Sequence, residues 1–222
     1  MKARLLAVAV AATAVFGAPQ ANAAIVHDSI AEFSSISFTA GTGFPAADPN
    51  RNAIANMFDN NEVGTFLSLG RGGMLSLVID PTSNRITSGL AVERTNGGSA
   101  DQERVRVFLG LNGGGWTEIG SFLNNNLGGT VIDLAGGPTL SATTISTSTT
   151  QGRTQYSISG VTGDYNSIRF VDYSLNTSAD GFDIAELEVT SIAAVPEPAS
   201  LALLGAGLLG LGIAQRRRRR SA

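Results

Sequence analysis

The chain has 222 residues, with 15 Lys and Arg against 18 Asp and Glu, one histidine and no cysteine. Without cysteine there are no disulfides, no thiol chemistry and no zinc site built on Cys, so stability must come from core packing. His27 alone gives Ser-His-Asp and Cys-His catalysis no support, and a lone histidine near the mature N-terminus reads as a solvated side chain.

Residues 1–23, MKARLLAVAVAATAVFGAPQANA, carry basic Lys2 and Arg4, an apolar run over 5–17, and Ala21-Asn22-Ala23. That is the layout of a secretory signal peptide, with signal peptidase expected to cut after Ala23. The segment 24–194 then holds eight Arg, no Lys and 17 acids, a formal charge of −9. Nucleic-acid binding rests on Lys and Arg, so this balance argues against it. It is compatible with cation binding.

The middle reads as β. TFLSLG (65–70), GMLSLVID (73–80), RVRVFLG (104–110), TVIDL (130–134), QYSISGV (155–161), NSIRFVDYS (166–174) and DIAELEVTSI (183–192) are short and mostly period-two. Gly, Asn and Ser separate them, and NGGGW at 112–116 is a turn signal. Such a series predicts an all-β sandwich or barrel of one domain. One short helix is expected around 53–58. The low-complexity SATTISTSTT at 141–150 reads as a surface loop in preference to an edge strand.

In DGFDIAELEV, 180–189, Phe182 and Ile184 share one parity and Leu187 and Val189 the other. Either a bulge near Ala185-Glu186 returns both pairs to the core, or the strand begins at Ala185 and Phe182 packs from a loop. The acids Glu93, Asp101, Glu103, Asp172, Asp180 and Asp183 would suit a glycosidase pair if the fold brought two together. Nothing in the sequence selects two, and their default place is a solvated outer strand face. Asn176 to Ser178 form a glycosylation sequon, a three-residue pattern that arises readily by chance.

DNNEVGT, 59–65, is the strongest polar cluster, and reads either as a cation site or as a capped surface turn. It is not an EF-hand, because Val63 holds the fifth position and Gly70 stands where the bidentate Glu belongs.

At the C-terminus, GAGLLG (205–210) matches G-x-G-x-x-G, but no second strand or acidic residue follows, so it is not a dinucleotide loop. Residues 199–214 are uncharged and rich in Leu, Ala and Gly, and Arg216, Arg217, Arg218, Arg219 and Arg220 follow. A helix there rises about 24 Å; with snorkelling Arg it spans a membrane, the arginines cytoplasmic. The alternative is a buried helix with a solvated basic tail.

Pro196-Glu197-Pro198, the apolar span and the Arg cluster together resemble a PEP-CTERM sorting tail over 195–220. The resemblance implies processing by exosortase near Pro196, Glu197 and Pro198. It also implies a Gram-negative-type envelope and a link to extracellular polysaccharide and biofilm. The order of AIANMFDNNEVGTFLSLGRGGMLSLVID, AVER, ERVRVFLG, GGGWTEIG, SIRFVDYS and DGFDIAELEV resembles a discoidin or galactose-binding-like jelly roll over 30–191. That resemblance implies a Ca²⁺ site at Asp59, Asn61, Thr65 and Glu186.

The expectation is an exported, non-enzymatic jelly-roll β-sandwich at 24–194. It passes through an inner-membrane precursor to the cell surface or outside, and binds matrix carbohydrate or serves structurally. The alternative is a secreted glycan hydrolase using paired carboxylates.

Overall fold

Alternating apolar residues turn one face of a strand inward, and two such sheets placed face to face close a core between them. The computed structural model describes residues 23–61, 64–80, 84–96, 102–125, 128–147, 151–175 and 181–193. Its strands are β1 (Ala24–His27), β2 (Phe33–Thr39), β3 (Leu67–Ser68), β4 (Met74–Ile79), β5 (Asn84–Asn96) and β6 (Arg104–Leu111). They continue with β7 (Gly114–Asn125), β8 (Gly128–Asp133), β9 (Thr139–Thr147), β10 (Gln151–Ser159), β11 (Ser167–Asp172) and β12 (Asp183–Ala193).

Among the described residues these form two antiparallel sheets. One runs β1-β12-β5-β10-β9, with β3 also on β12; the other runs β2-β4-β11-β6-β7-β8. Because successive strands repeatedly cross between the sheets, the sandwich is jelly-roll-like. Leu75, Leu77 and Ile79 of β4 and Val105, Val107 and Leu109 of β6 face the core from the second sheet. Phe122 of β7 stacks on Tyr156 of β10 at 4.5 Å, joining the layers. Such stacking adds about 1 kcal/mol beyond the area buried.

Turn chemistry sets the β6–β7 register. Asn112 (φ 53°) and Gly113 (φ 73°) form the two-residue turn, and Leu111 pairs with Gly114. Two positive φ values in succession match the twist of a tight hairpin. At the other end Gly181 (φ 105°) lies against the backbone of Gly70, which is itself at φ 72°. A Cβ at Gly181 would overlap Gly70. Gly181→Ala is therefore expected to cost on the order of 3 kcal/mol, read as a drop in urea midpoint at unchanged m-value.

Ile184 pairs with Glu93 while Glu186 pairs with Val92, so β12 carries a bulge at Ala185. Phe182, Ile184, Leu187 and Val189 are all buried as a result. The short helix is a 3-10 turn, Ile54–Met57.

Two expectations are corrected. The 141–150 segment is largely strand: β9 pairs with β10 at the sheet edge, where Thr suits the backbone and polar side chains suit the exposure. His27 is buried, because β1 pairs with β12 and sets it opposite Val189; its Nε2 lies 2.7 Å from Ser191 Oγ. The segments 1–22 and 194–222 lie outside the described residues, and with them the expected signal peptide, the apolar span at 199–214, and Pro196, Glu197 and Pro198. Among the described residues no helix is long and apolar enough to cross a membrane.

Candidate functional site

Two regions concentrate chemistry. The first lies inside one end of the sandwich. Glu93 on β5, Glu103 just before β6, Asp172 ending β11 and Asp183 opening β12 are all buried there. Their expected place on outer strand faces is thereby corrected. Glu93 points inward because it shares parity with Ala91, and Asp172 because it shares parity with Ile168 and Phe170.

The four acids are not alike. Asp172 is saturated: Oδ1 accepts from the N–H of Gly72 (3.1 Å) and of Ser174 (3.0 Å), and Oδ2 from Ser174 Oγ and Phe182 N–H, both at 2.8 Å. It ties the turn before β4 to the start of β12. Glu93 Oε2 and the Leu123 carbonyl each lie 2.9 Å from Tyr156 Oη. The Glu93 and Glu103 carboxyls meet each other. Two carboxylates cannot share a hydrogen bond unless one holds a proton. Among the described residues no N–H or O–H reaches Glu93 Oε1, Glu103 Oε2 or Asp183 Oδ1.

Burial pushes the Glu93 and Glu103 carboxyls well above the usual range, with the charges of Asp183 and Asp172 adding to it. Burial likewise raises Asp183 to about 7, against Ser68, Arg51 and Arg94. Arg51 Nη2 stands 3.9 Å from Asp183 Oδ2, and Arg51 and Arg94 lie over the Phe66 ring at 5.0 and 4.9 Å. Burial lowers the Arg94 pKa. The arrangement stores protons in the interior. Asp101 and Asp180 lie outside the described residues.

Asp59, Asn61 and Thr65 are brought together in one turn. Asp59 Oδ1 accepts from Asn61 N–H (2.9 Å), Asp59 Oδ2 from Thr65 Oγ1 (2.5 Å), and Asn61 Oδ1 from Gly64 N–H (3.2 Å). Glu186 is half-buried on β12, which packs on the 3-10 turn leading into this loop. A Ca²⁺ ion here would take over oxygens that the turn now uses for itself. No group of three His, Asp or Glu among the described residues is placed to hold a metal.

The second region is the outer face of the β2-β4-β11-β6-β7-β8 sheet. Pairing places Ser76, Arg169, Phe108 and Glu118 in one row across β4, β11, β6 and β7. The next row runs Met74, Val171, Arg106, Ser121 and Ile132. Trp116 packs over Gly110, whose missing side chain makes room for the indole. Arg169 Cζ lies 3.9 Å above that ring, and Arg169 Nε donates to Ser76 Oγ at 2.8 Å. At the far end Arg106 Cζ lies 5.0 Å over the Tyr173 ring. Both aromatics are half-buried. Two aromatic rings, each with a guanidinium over it, thus stand on the outer face of the sheet.

Sequence reasoning missed this face. The alternation of Arg104, Arg106 and Phe108 against Val105, Val107 and Leu109 was its legible half. That Trp116 and Tyr173 join it depends on pairings across three strands.

A family model of the PEP-CTERM protein-sorting motif matches residues 194–219. No curated protein matches the chain. Among solved structures, the C-terminal domain of a chitobiase from Bacteroides fragilis is similar, at 17% identity over 74% of this chain and 98% of that chain, with a TM-score of 0.41.

Proposed function

We infer from the PEP-CTERM motif, the exosortase recognition signal, that the chain is exported and processed at a membrane. From that premise we propose that the chain is an exported, non-enzymatic module that binds extracellular polysaccharide. The carrying observation is the pair of rings on the outer sheet face, Trp116 under Arg169 and Tyr173 under Arg106. The apolar face of a pyranose stacks on such rings, and Trp and Tyr give large, rigid contact area with a polar edge.

In this reading residues 1–23 are the signal peptide, removed after Ala23. Residues 199–214 hold the precursor in the inner membrane with Arg216 to Arg220 inside. Exosortase cuts near Pro196-Glu197-Pro198, and the domain passes to the cell surface or matrix. A discoidin-type Ca²⁺ at Asp59, Asn61, Thr65 and Glu186 belongs to the same reading, as a structural ion.

Burial supports binding over hydrolysis. A glycosidase pair must reach the glycosidic oxygen, whereas Glu93 is 0% and Asp183 3% exposed. The test is a glycan array with the purified full chain, followed by assay of free sugar. Retained glycan without released sugar is expected; released sugar would establish the hydrolase instead. Ca²⁺ is expected to raise the melting temperature over EDTA, and Asp59→Ala to abolish that rise. An unchanged melt excludes the ion.

A further inference from the structure

We propose that the outer face of the β2-β4-β11-β6-β7-β8 sheet takes an anionic polysaccharide whose units carry uronate-type carboxylates. The proposal rests on the polysaccharide reading and names its ligand class.

Charge is segregated on this domain. Segment 24–194 has a formal charge of −9 and eight Arg. Three of those eight, Arg104, Arg106 and Arg169, stand on this one face, by their alternation with buried Val105, Val107, Ile168 and Phe170. Among the described residues, Glu118 is the single acid that these strands place beside them. An acidic domain therefore presents a local positive strip, which is complementary to a polyanion.

The strip has a shape. Arg106 on β6 pairs with Val171, and Phe108 with Arg169, so Arg106 and Arg169 are diagonal neighbours at about 7–8 Å. Arg104 is one step further along β6. Tyr173 lies beside Arg104, its N–H donating to the Arg104 carbonyl at 3.0 Å. Trp116 covers Gly110, at the other end of β6. From residue 104 to residue 110 is roughly 20 Å of strand, the reach of a short oligosaccharide. Rings at the two ends with cations between them match a chain that alternates pyranose faces and carboxylates.

The cations are available. Arg169 is half-buried and donates to Ser76 through Nε, a bond that uses one of its five N–H donors. Arg106 is half exposed, its Nε 4.0 Å from Glu118 Oε1. A guanidinium fork reads a carboxylate with two parallel hydrogen bonds. Three arginines and no lysine on a net-negative domain suit a polysaccharide with spaced charges better than a nucleic acid, whose affinity grows with the number of phosphates neutralised.

The test is calorimetric titration of the purified full chain with oligogalacturonate, its methyl ester and single-stranded DNA. Oligogalacturonate is expected to bind, with the methyl ester weaker by about tenfold or more. Arg106→Gln with Arg169→Gln should remove that preference, with a melting temperature lower by a few degrees for the two ring stacks lost. Glu118→Gln should tighten binding by a few-fold, a gain that misfolding cannot mimic. A variant with Gln at 216–220 controls for the basic tail and should bind as the parent does. Equal affinity for acid and ester would overturn the anionic ligand and leave polysaccharide binding standing. Binding to neither would overturn both. Tighter binding to DNA, or loss confined to the 216–220 variant, would overturn the proposal.

Discussion

The protein is expected to melt roughly 10 °C lower at pH 8 than at pH 5, because its interior carboxyls must ionise without solvent. The groups facing one another are Glu93 on β5, Glu103 before β6, Asp172 on β11, Asp183 on β12 and Tyr156 on β10, with Arg51 and Arg94 beside them. The folded pKa values of Glu93, Glu103 and Asp183 are raised above their unfolded values, burial being the largest cause. A raised carboxyl pKa means that the folded state binds the proton more tightly than the unfolded chain does. Its contribution to stability is therefore complete below the unfolded pKa. It is lost as pH rises from there through the folded value. For Asp183 that window runs from 3.8 to about 7, and at about 1.4 kcal/mol per unit it amounts to about 4 kcal/mol. The two glutamates carry the loss to higher pH.

Glu103→Gln isolates the effect. The amide has the shape of the protonated acid and can donate to Glu93. At pH 8 the variant should melt about 4–8 °C above the parent, for a gain of about 2 kcal/mol. At pH 5, where the parent acid is already protonated, the two should coincide. Equal parent melting temperatures at both pH values, or a less stable variant at pH 8, would remove the proton-storing interior.

Asp172→Ala is expected to be the most damaging single change among these acids, at about 3–5 kcal/mol. Asp172 accepts from Gly72 N–H, Ser174 N–H, Ser174 Oγ and Phe182 N–H. Alanine leaves the Phe182 N–H buried with no acceptor and unties β12 from the turn before β4. Asp172→Asn should be nearly as costly, since its amide nitrogen would face N–H donors. Removing the charge also relieves Glu93, Glu103 and Asp183, each of which Asp172 pushes upward. Alanine should accordingly flatten the loss of stability with pH. A cost under about 1 kcal/mol in a urea titration would show that the clasp carries no weight.

These acids show where sequence reasoning stopped. Glu93 and Asp183 sit in strand-like stretches where a charged residue ordinarily marks the solvent face. The fold reverses that assignment by pairing Ile184 with Glu93 and inserting the bulge at Ala185. β5 was hidden for a related reason. It is central in its sheet and carries Glu93 and Arg94 side by side, so its alternation breaks where it enters the acid cluster. β9 was hidden by composition, because a Thr- and Ser-rich edge strand reads like a loop. By contrast β4, β6, β11 and β12 were legible, since their alternation is imposed by a core on one side only. The Asp59 to Thr65 turn was legible too, because its hydrogen bonds lie within seven residues.

The amino-acid sequence by itself determined the address and the class. A sorting motif is read as linear chain, by proteins that need no fold to recognise it, and period-two patterning follows from strand geometry alone. The acid cluster, the Asp172 clasp and the Trp116–Arg169 and Tyr173–Arg106 stacks were decided only by tertiary structure. Each joins residues far apart in the chain, and strand order and register, both collective properties of the whole core, place them side by side.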